Sequence, residues 1–234
     1  MTASFDARVR FLTELGRRLH VVGVSASRLE GAVRSVAASI GVRVEVWSTP
    51  TGLLLSLADA ERSDATQETR VLRLEPSDIQ LGALAKLDAI AEAVVKGTMS
   101  TDEAWVAMAE LDRPVTTKMQ LSTVAAFGLA AASVAGLLRT GWIDVSVAFV
   151  IGLLIGWIAI MSGSRPHLAA AFEAVAALIA TVLATTFAHF VAPLTRQTVI
   201  VASLIVLMPG LSLTTAVSEL ASQQLVTGTT RFAG

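Results

Sequence analysis

The residues best suited to bind a ligand or a proton lie at positions 207–220, where Pro209-Gly210 interrupts an apolar run and Glu219 follows. Proline removes a backbone donor and clashes one turn back, and glycine adds freedom, so the pair predicts a broken helix. In lipid, irregular backbone persists only where protein or a water-filled cavity satisfies its polar groups. Broken helices of transporters use these free amides and carbonyls to bind charged ligands. A simple proline kink, or a loop at the membrane surface, is the alternative interpretation.

Carboxylates within apolar sequence form the second set of candidates. Glu219 lies in a stretch rich in Ser, Thr and Gln, and Glu173 lies inside an earlier apolar run. A charge at mid-membrane costs roughly 2.5–3.5 kcal/mol on insertion scales, so such residues often line a proton or substrate path. Glu173 has structural alternatives, since it could reach the interface or pair with Arg165. His189 and Arg196 are predicted to be interfacial.

Enzyme and metal chemistry find little support. The chain has no cysteine, which excludes disulfides and thiolate zinc sites. The three histidines follow no metal-ligand spacing: His20, His167 and His189. The sequence contains no GxSxG, P-loop or HExxH motif. His20 with Ser25, Ser27 and Glu30 holds residue types that a hydrolase could use, but a helix-end histidine and a capping box explain them. No catalytic residue, metal or cofactor is assigned, and the chain is predicted not to be an enzyme.

Charge divides the chain into two unlike parts. Residues 119–234 carry seven charged side chains, whereas residues 1–118 carry thirty. A segment so poor in charge cannot supply the surface of a soluble domain and is expected to lie in a lipid bilayer. The front part has a net charge of −2, which gives no indication of nucleic-acid binding. Its N-terminus contains no apolar signal-peptide core, so a cytoplasmic front domain is predicted.

Four membrane spans are predicted from the apolar runs, at residues 119–138, 145–161, 168–191 and 198–218, followed by the start of a fifth. The connecting loops are very short, which predicts antiparallel neighbours in a compact bundle. Small residues recur at four-residue spacing: Gly128, Ala132 and Gly136 on the first span, and Gly152 and Gly156 on the second. Close helix packing is the favoured reading of this pattern, and a narrow substrate path is the alternative.

The front part is predicted to be a mixed domain of helices and strands. Helical spacing covers residues 5–19, and a capping box at Ser27-Arg-Leu-Glu30 predicts a second helix. Three β-rich runs follow, and two further helices precede the linker. The predicted fold is an α+β cytoplasmic domain of order ααβββαα at residues 1–114. An all-α multi-span membrane bundle follows at residues 115–234.

Residues in both parts carry a family resemblance. The front part has His20, Gly23, Ser27-Arg28-Leu29-Glu30, Gly41, Thr49-Pro50-Thr51-Gly52 and Arg70-Val71. The more specific stretch runs from the Pro209-Gly210 break through Glu219 and Gly228 to Arg231. Together these resemble the threonine/serine exporter family of bacterial inner-membrane proteins. Its Pro-Gly segment continues through an acidic position and a glycine to an arginine that opens the next span.

The resemblance implies a multi-pass secondary exporter of small polar amino acids such as threonine and serine, coupled to protons. Pro209 and Gly210 would open the path, and Glu219 and Glu173 would handle a proton or the substrate ammonium. Arg231 would face a carboxylate or pair with Glu219. The family also implies a C-terminal half or a separate partner subunit with about five further spans. A homo-oligomer is left open. The alternatives are a dicarboxylate exporter subunit, a membrane-tethered hydrolase, and a membrane-anchored sensor or scaffold.

Overall fold

A computed structural model describes residues 4–61, 67–74, 80–112, 116–163, 166–208 and 210–233, with backbone alone at residues 166–170, 231 and 233. Two compact units are formed. The front unit comprises Met1–Arg113 together with Gly210–Gly234, and the bundle unit comprises Pro114–Pro209. By their contacts, residues 210–234 belong to the front unit.

The front unit has the predicted order of elements. They are α1 (Phe5–Val21), α2 (Ala26–Ser39), β1 (Val42–Thr49), β2 (Gly52–Asp59), β3 (Glu68–Arg73), α3 (Leu81–Val95) and α4 (Thr101–Ala109). A 3₁₀ turn at Glu110–Asp112 follows α4. A capping box of Ser100 and Glu103 begins α4.

The capping box predicted for α2 is wrong. The helix begins at Ala26, so the residue before it is Ser25 and not Ser27. Glu30 instead accepts a hydrogen bond from the Ser48 backbone amide at 3.1 Å and pairs with Arg34. A tertiary contact to β1 therefore uses the carboxylate that the local motif assigned to the helix end.

The sheet is antiparallel, with the order β1-β2-β3. Alternate residues of β2 point into the core, where Leu53, Leu55 and Leu57 are fully buried. α1 and α2 cover this face with an apolar stripe at helical spacing, which includes Leu12 and Leu15. The front unit therefore has a core of its own.

Two further helices complete the front unit: α9 (Gly210–Ala221) and α10 (Leu225–Ala233). They form a helical hairpin joined at Gln223, whose φ of 63° lies in the left-handed region. The backbone amides of Gln223 and Gln224 bond back to the carbonyls of Leu220 and Glu219, which closes the last turn of α9.

The bundle unit consists of α5 (Thr117–Leu137), α6 (Trp142–Ser162), α7 (Pro166–Phe190) and α8 (Arg196–Leu204), which is extended by a 3₁₀ turn at Ile205–Leu207. Three helices are long and apolar enough to cross a membrane: Thr117–Leu137, Trp142–Ser162 and Ala171–Phe190. A fourth span results if Arg196–Leu207 and Gly210–Ala221 count as one broken helix. The apolar helices thus match the predicted spans within a few residues at each end.

Glycines hold α5 and α6 together. A Cβ at Gly152 would lie 2.8 Å from the Phe127 carbonyl oxygen and 3.0 Å from the Gly128 Cα. A Cβ at Gly156 would lie 3.1 Å from the Val124 Cα. Only hydrogen fits in these gaps, so Gly152 and Gly156 serve close backbone approach, as the favoured interpretation predicted. Gly136 differs from that prediction, because a Cβ there would meet no atom within 4 Å.

Candidate functional site

The predicted site residue with the most informative surroundings is Glu219. Its side chain is 1% exposed, and its Oε1 accepts a hydrogen bond of 3.2 Å from the Ala26 backbone amide. Ala26 is the first residue of α2, where backbone amides lack helical partners. Ser25 makes no side-chain cap there, and the first turn of α2 has no acidic residue. The Glu219 carboxylate therefore caps α2 from a remote helix and meets the positive end of its dipole.

The α9–α10 hairpin positions this carboxylate. Ala216 and Glu219 are spaced three residues apart on α9 and are both buried. Gly228 of α10 packs against α9 so closely that a Cβ there would lie 3.0 Å from the Leu220 backbone nitrogen. Because Leu220 adjoins Glu219, this contact fixes the turn that carries the carboxylate. The structure thus brings together two predicted site residues, Glu219 and Gly228, and gives Gly228 a packing role.

The predicted helix break is present. The 3₁₀ turn ends at Leu207, the following Met208 is extended with φ −70° and ψ 124°, and α9 begins at Gly210. A residue that precedes proline is driven out of the helical region, so the extended Met208 follows from Pro209 in the sequence. A Cβ at Gly210 would meet no atom within 4 Å. Pro209 itself lies outside the described residues.

Two other predicted site residues are Glu173 and Arg231. Glu173 is exposed on α7 of the bundle unit. The backbone of Arg231 lies in α10, but its side chain lies outside the described part of the structure.

One buried acid was missed by sequence reasoning. Asp144, in the first turn of α6, is 5% exposed, and its Oδ1 accepts a hydrogen bond of 3.1 Å from the Thr195 backbone amide. Thr195 directly precedes α8, so Asp144 fixes the start of that helix. The available signal was an acidic residue within a segment of very few charges, next to a short loop.

The front unit contains an ion-pair network near its junction with the linker. Arg18 of α1 donates to Glu14 and to both carboxylate oxygens of Asp112, at distances of 2.6–3.0 Å. Hydrogen bonding to Arg17 and Arg18 lowers the pKa of Glu14, and hydrogen bonding to Arg18 lowers the pKa of Asp112. These ion pairs hold the 3₁₀ turn that follows α4 against α1.

The hydrolase reading gains no support from geometry. His20 is buried at the end of α1. Glu30, the acid considered with it, accepts hydrogen bonds from the Ser48 backbone amide and the Arg34 side chain. Its contacts explain it as a structural residue that joins α2 to β1.

The apolar helices and the broken helix α8–α9 are those of a multi-pass membrane protein. Residues 10–234 match the family described as "Putative threonine/serine exporter", and the chain belongs to this family. The match covers both compact units.

Similar proteins occur in fungi. The chain is 25% identical over 229 residues to "Pheromone-regulated membrane protein 10" of Debaryomyces hansenii, covering 96% of this chain and 22% of that protein. The Candida albicans protein of the same name is 24% identical over 229 residues, covering 96% of this chain and 20% of its own length. An uncharacterized protein of Schizosaccharomyces pombe is 27% identical over 150 residues, covering 64% of this chain and 19% of that protein. The chain therefore spans about a fifth of the length of these relatives. No solved structure matches it.

Proposed function

We propose that this chain is the N-terminal part of a proton-coupled secondary exporter of small polar amino acids such as threonine and serine. The observation that carries the proposal is the buried carboxylate of Glu219 on the helix that follows the Pro209-Gly210 break. A carboxylate enclosed by protein on the helix that follows interrupted backbone supplies the two properties that proton-coupled transport uses, a titratable group and free polar backbone. Membership of the exporter family supports the same function.

Each predicted site residue takes a role in this proposal. Glu219 binds the coupling proton or the substrate ammonium when its hydrogen bond to Ala26 opens. Pro209 and Gly210 keep the preceding backbone open. Arg231 meets the substrate carboxylate or pairs with Glu219, and Gly228 sets the hairpin.

Glu173 is proposed to act elsewhere on the same path. It is exposed on α7, whose sequence contains no other carboxylate. A partner half with about five further spans would cover this face and turn the carboxylate into the lining of the path. The fungal relatives, which are much longer than this chain, are consistent with additional segments. We place the complete exporter in the bacterial inner membrane with the front domain in the cytoplasm.

Export by the complete system tests the proposal. Cells that express the chain with its partner half are loaded with a threonine dipeptide, and efflux of threonine is followed at several external pH values. Glu219→Gln is expected to abolish proton-driven efflux while counterflow exchange persists, since the amide retains size and much of the hydrogen bonding. Glu92→Gln is the matched control, because Glu92 is an exposed carboxylate paired with Lys96 on α3. Wild-type efflux by the Glu219 variant at every pH would remove it from the mechanism.

A further inference from the structure

A cleft of about 360 Å³ opens in the bundle unit where α7 ends and α8 begins. It is lined by the last turns of α7, the connecting loop and the first residue of α8: Thr185, Ala188, His189, Pro193, Leu194 and Arg196. The volume admits a small amino acid together with water. The cleft therefore has the size of a substrate site.

Its polar groups are suited to an anion. Arg196 supplies a guanidinium, which presents a planar set of N–H donors that matches a carboxylate in a bidentate manner. His189 supplies a ring nitrogen from a different helix, and Thr185 supplies a hydroxyl. Among the described residues, Arg196 forms no ion pair. The Arg196 and His189 side chains are exposed, so their donors are accessible to an anion that enters the cleft from outside the chain.

The free backbone amides at the start of α8 are not the proposed anion ligands. Asp144 already accepts from the Thr195 amide at 3.1 Å, so that first free amide has a partner within the protein. Asp144 is buried and is not part of the cleft lining. Its effect is to hold the first turn of α8, and with it the Cα of Arg196, against α6. The cleft thus has a fixed wall and a cation at a defined position.

We propose that this cleft binds the α-carboxylate of the exported amino acid through Arg196 and His189. The proposal rests on the export function proposed above and adds a binding site that lies apart from Glu219. Because Arg196 is the only permanently charged cation among the lining residues, the site suits a monocarboxylate such as threonine better than a dicarboxylate. The helix ends that form it lie at the end of the bundle opposite to Thr117, where α5 starts. With a cytoplasmic front domain, this is the external end, where the substrate leaves.

Direct binding tests the site. The chain is reconstituted in phosphatidylcholine nanodiscs and titrated calorimetrically with L-threonine and with L-threoninol, which lacks the carboxylate. Wild type is expected to bind threonine at least tenfold more tightly than threoninol, and Arg196→Gln is expected to weaken threonine binding about tenfold. Arg139→Gln is the matched control, since Arg139 lies in the α5–α6 turn at the same end of the bundle and does not line the cleft. Circular dichroism and retained binding of threoninol show that the variants are folded.

The outcomes separate this site from the export function. Absence of threonine binding by the wild type, or equal affinities for the Arg196 and Arg139 variants, would overturn the carboxylate site. Retention of a lipid by wild type but not by Arg196→Gln in phosphatidylglycerol nanodiscs, without a threonine effect, would reassign the cleft to a lipid headgroup. Threonine binding that depends on Arg196, in a complete system without efflux, would support the site and contradict the export proposal. Efflux with an unchanged KM in Arg196→Gln would support the export proposal and contradict the carboxylate site.

Discussion

The Oε1 atom of Glu219 accepts a hydrogen bond from the backbone amide of Ala26, 193 residues earlier in the chain, at 3.2 Å. This contact joins the helix that follows the Pro209-Gly210 break to the start of α2. Helix α2 also packs on β1 and contributes to the core of the front unit. A change of charge or position at Glu219 is therefore transmitted directly to α2.

The first prediction separates the capping role of Glu219 from its proposed proton role. Glu219→Ala removes the acceptor for Ala26 and is expected to destabilise the front unit by about 1–3 kcal/mol, as for a lost buried hydrogen bond to a charged group. Glu219→Gln retains an acceptor oxygen and should lose much less. Thermal unfolding of the chain in detergent, with hydrogen exchange at the first turn of α2, measures both effects. Equal destabilisation by Ala and Gln would show that the charge itself stabilises the helix end.

A second prediction concerns the packing of α5 on α6. Gly152→Ala places a methyl group against the Phe127 carbonyl oxygen and the Gly128 Cα, both backbone atoms that cannot move independently of the helix. The two helices are expected to separate, with a loss of roughly 1–3 kcal/mol. Gly136→Ala on α5 is the control, because a Cβ there meets no atom within 4 Å. It should be neutral or slightly stabilising, since alanine favours helix. Similar stability of the two variants would contradict close packing at Gly152.

Much of the element order was predictable because it depends on local patterns. Long apolar runs predicted α5 to α7, since twenty residues without charge suffice to cross a bilayer. The β-rich runs predicted the three strands, and β1 pairs with β2 across the short connection between Thr49 and Gly52. The extended conformation of Met208 follows from the proline after it. In each case, the residues that determine the structure are neighbours in sequence.

The contacts at the candidate site could not be predicted in this way. The bond from Ala26 to Glu219 and the bond from Thr195 to Asp144 each join segments far apart in the chain, and no local spacing records such a pairing. The capping-box motif at Ser27 failed for a related reason. The pattern is short enough to occur by chance, and Glu30 accepts its hydrogen bond from Ser48 of β1 instead.

A third prediction concerns acid stability. The pKa values of Glu14 and Asp112 are lowered in the folded protein by hydrogen bonds to arginine, so both groups contribute stability above their unfolded pKa values of about 4. This contribution is lost as the pH falls from about 4 through the folded pKa values. Arg18→Met should flatten the dependence of the unfolding midpoint on pH in this range, while Arg43→Met, at an exposed position of β1, should leave it unchanged. Parallel curves for wild type and Arg18→Met between pH 2 and pH 6 would contradict the role of the pair.

The last prediction concerns Gly210, at the break, and Gly228, which sets the α9–α10 hairpin. Gly228→Ala places a methyl group 2.8 Å from the Leu220 Cγ and 3.0 Å from its backbone nitrogen, so the α9–α10 hairpin must open. Because Leu220 adjoins Glu219, the hydrogen bond from Ala26 to Glu219 should weaken. Hydrogen exchange should become faster in the α9–α10 turn and in the first turn of α2, and efflux should fall. Gly210→Ala meets no atom within 4 Å and should leave the hairpin intact. If Gly210→Ala nevertheless reduces efflux without a change in hydrogen exchange, Gly210 acts through its backbone at the break. If neither variant changes efflux or exchange, the hairpin does not position Glu219 for transport.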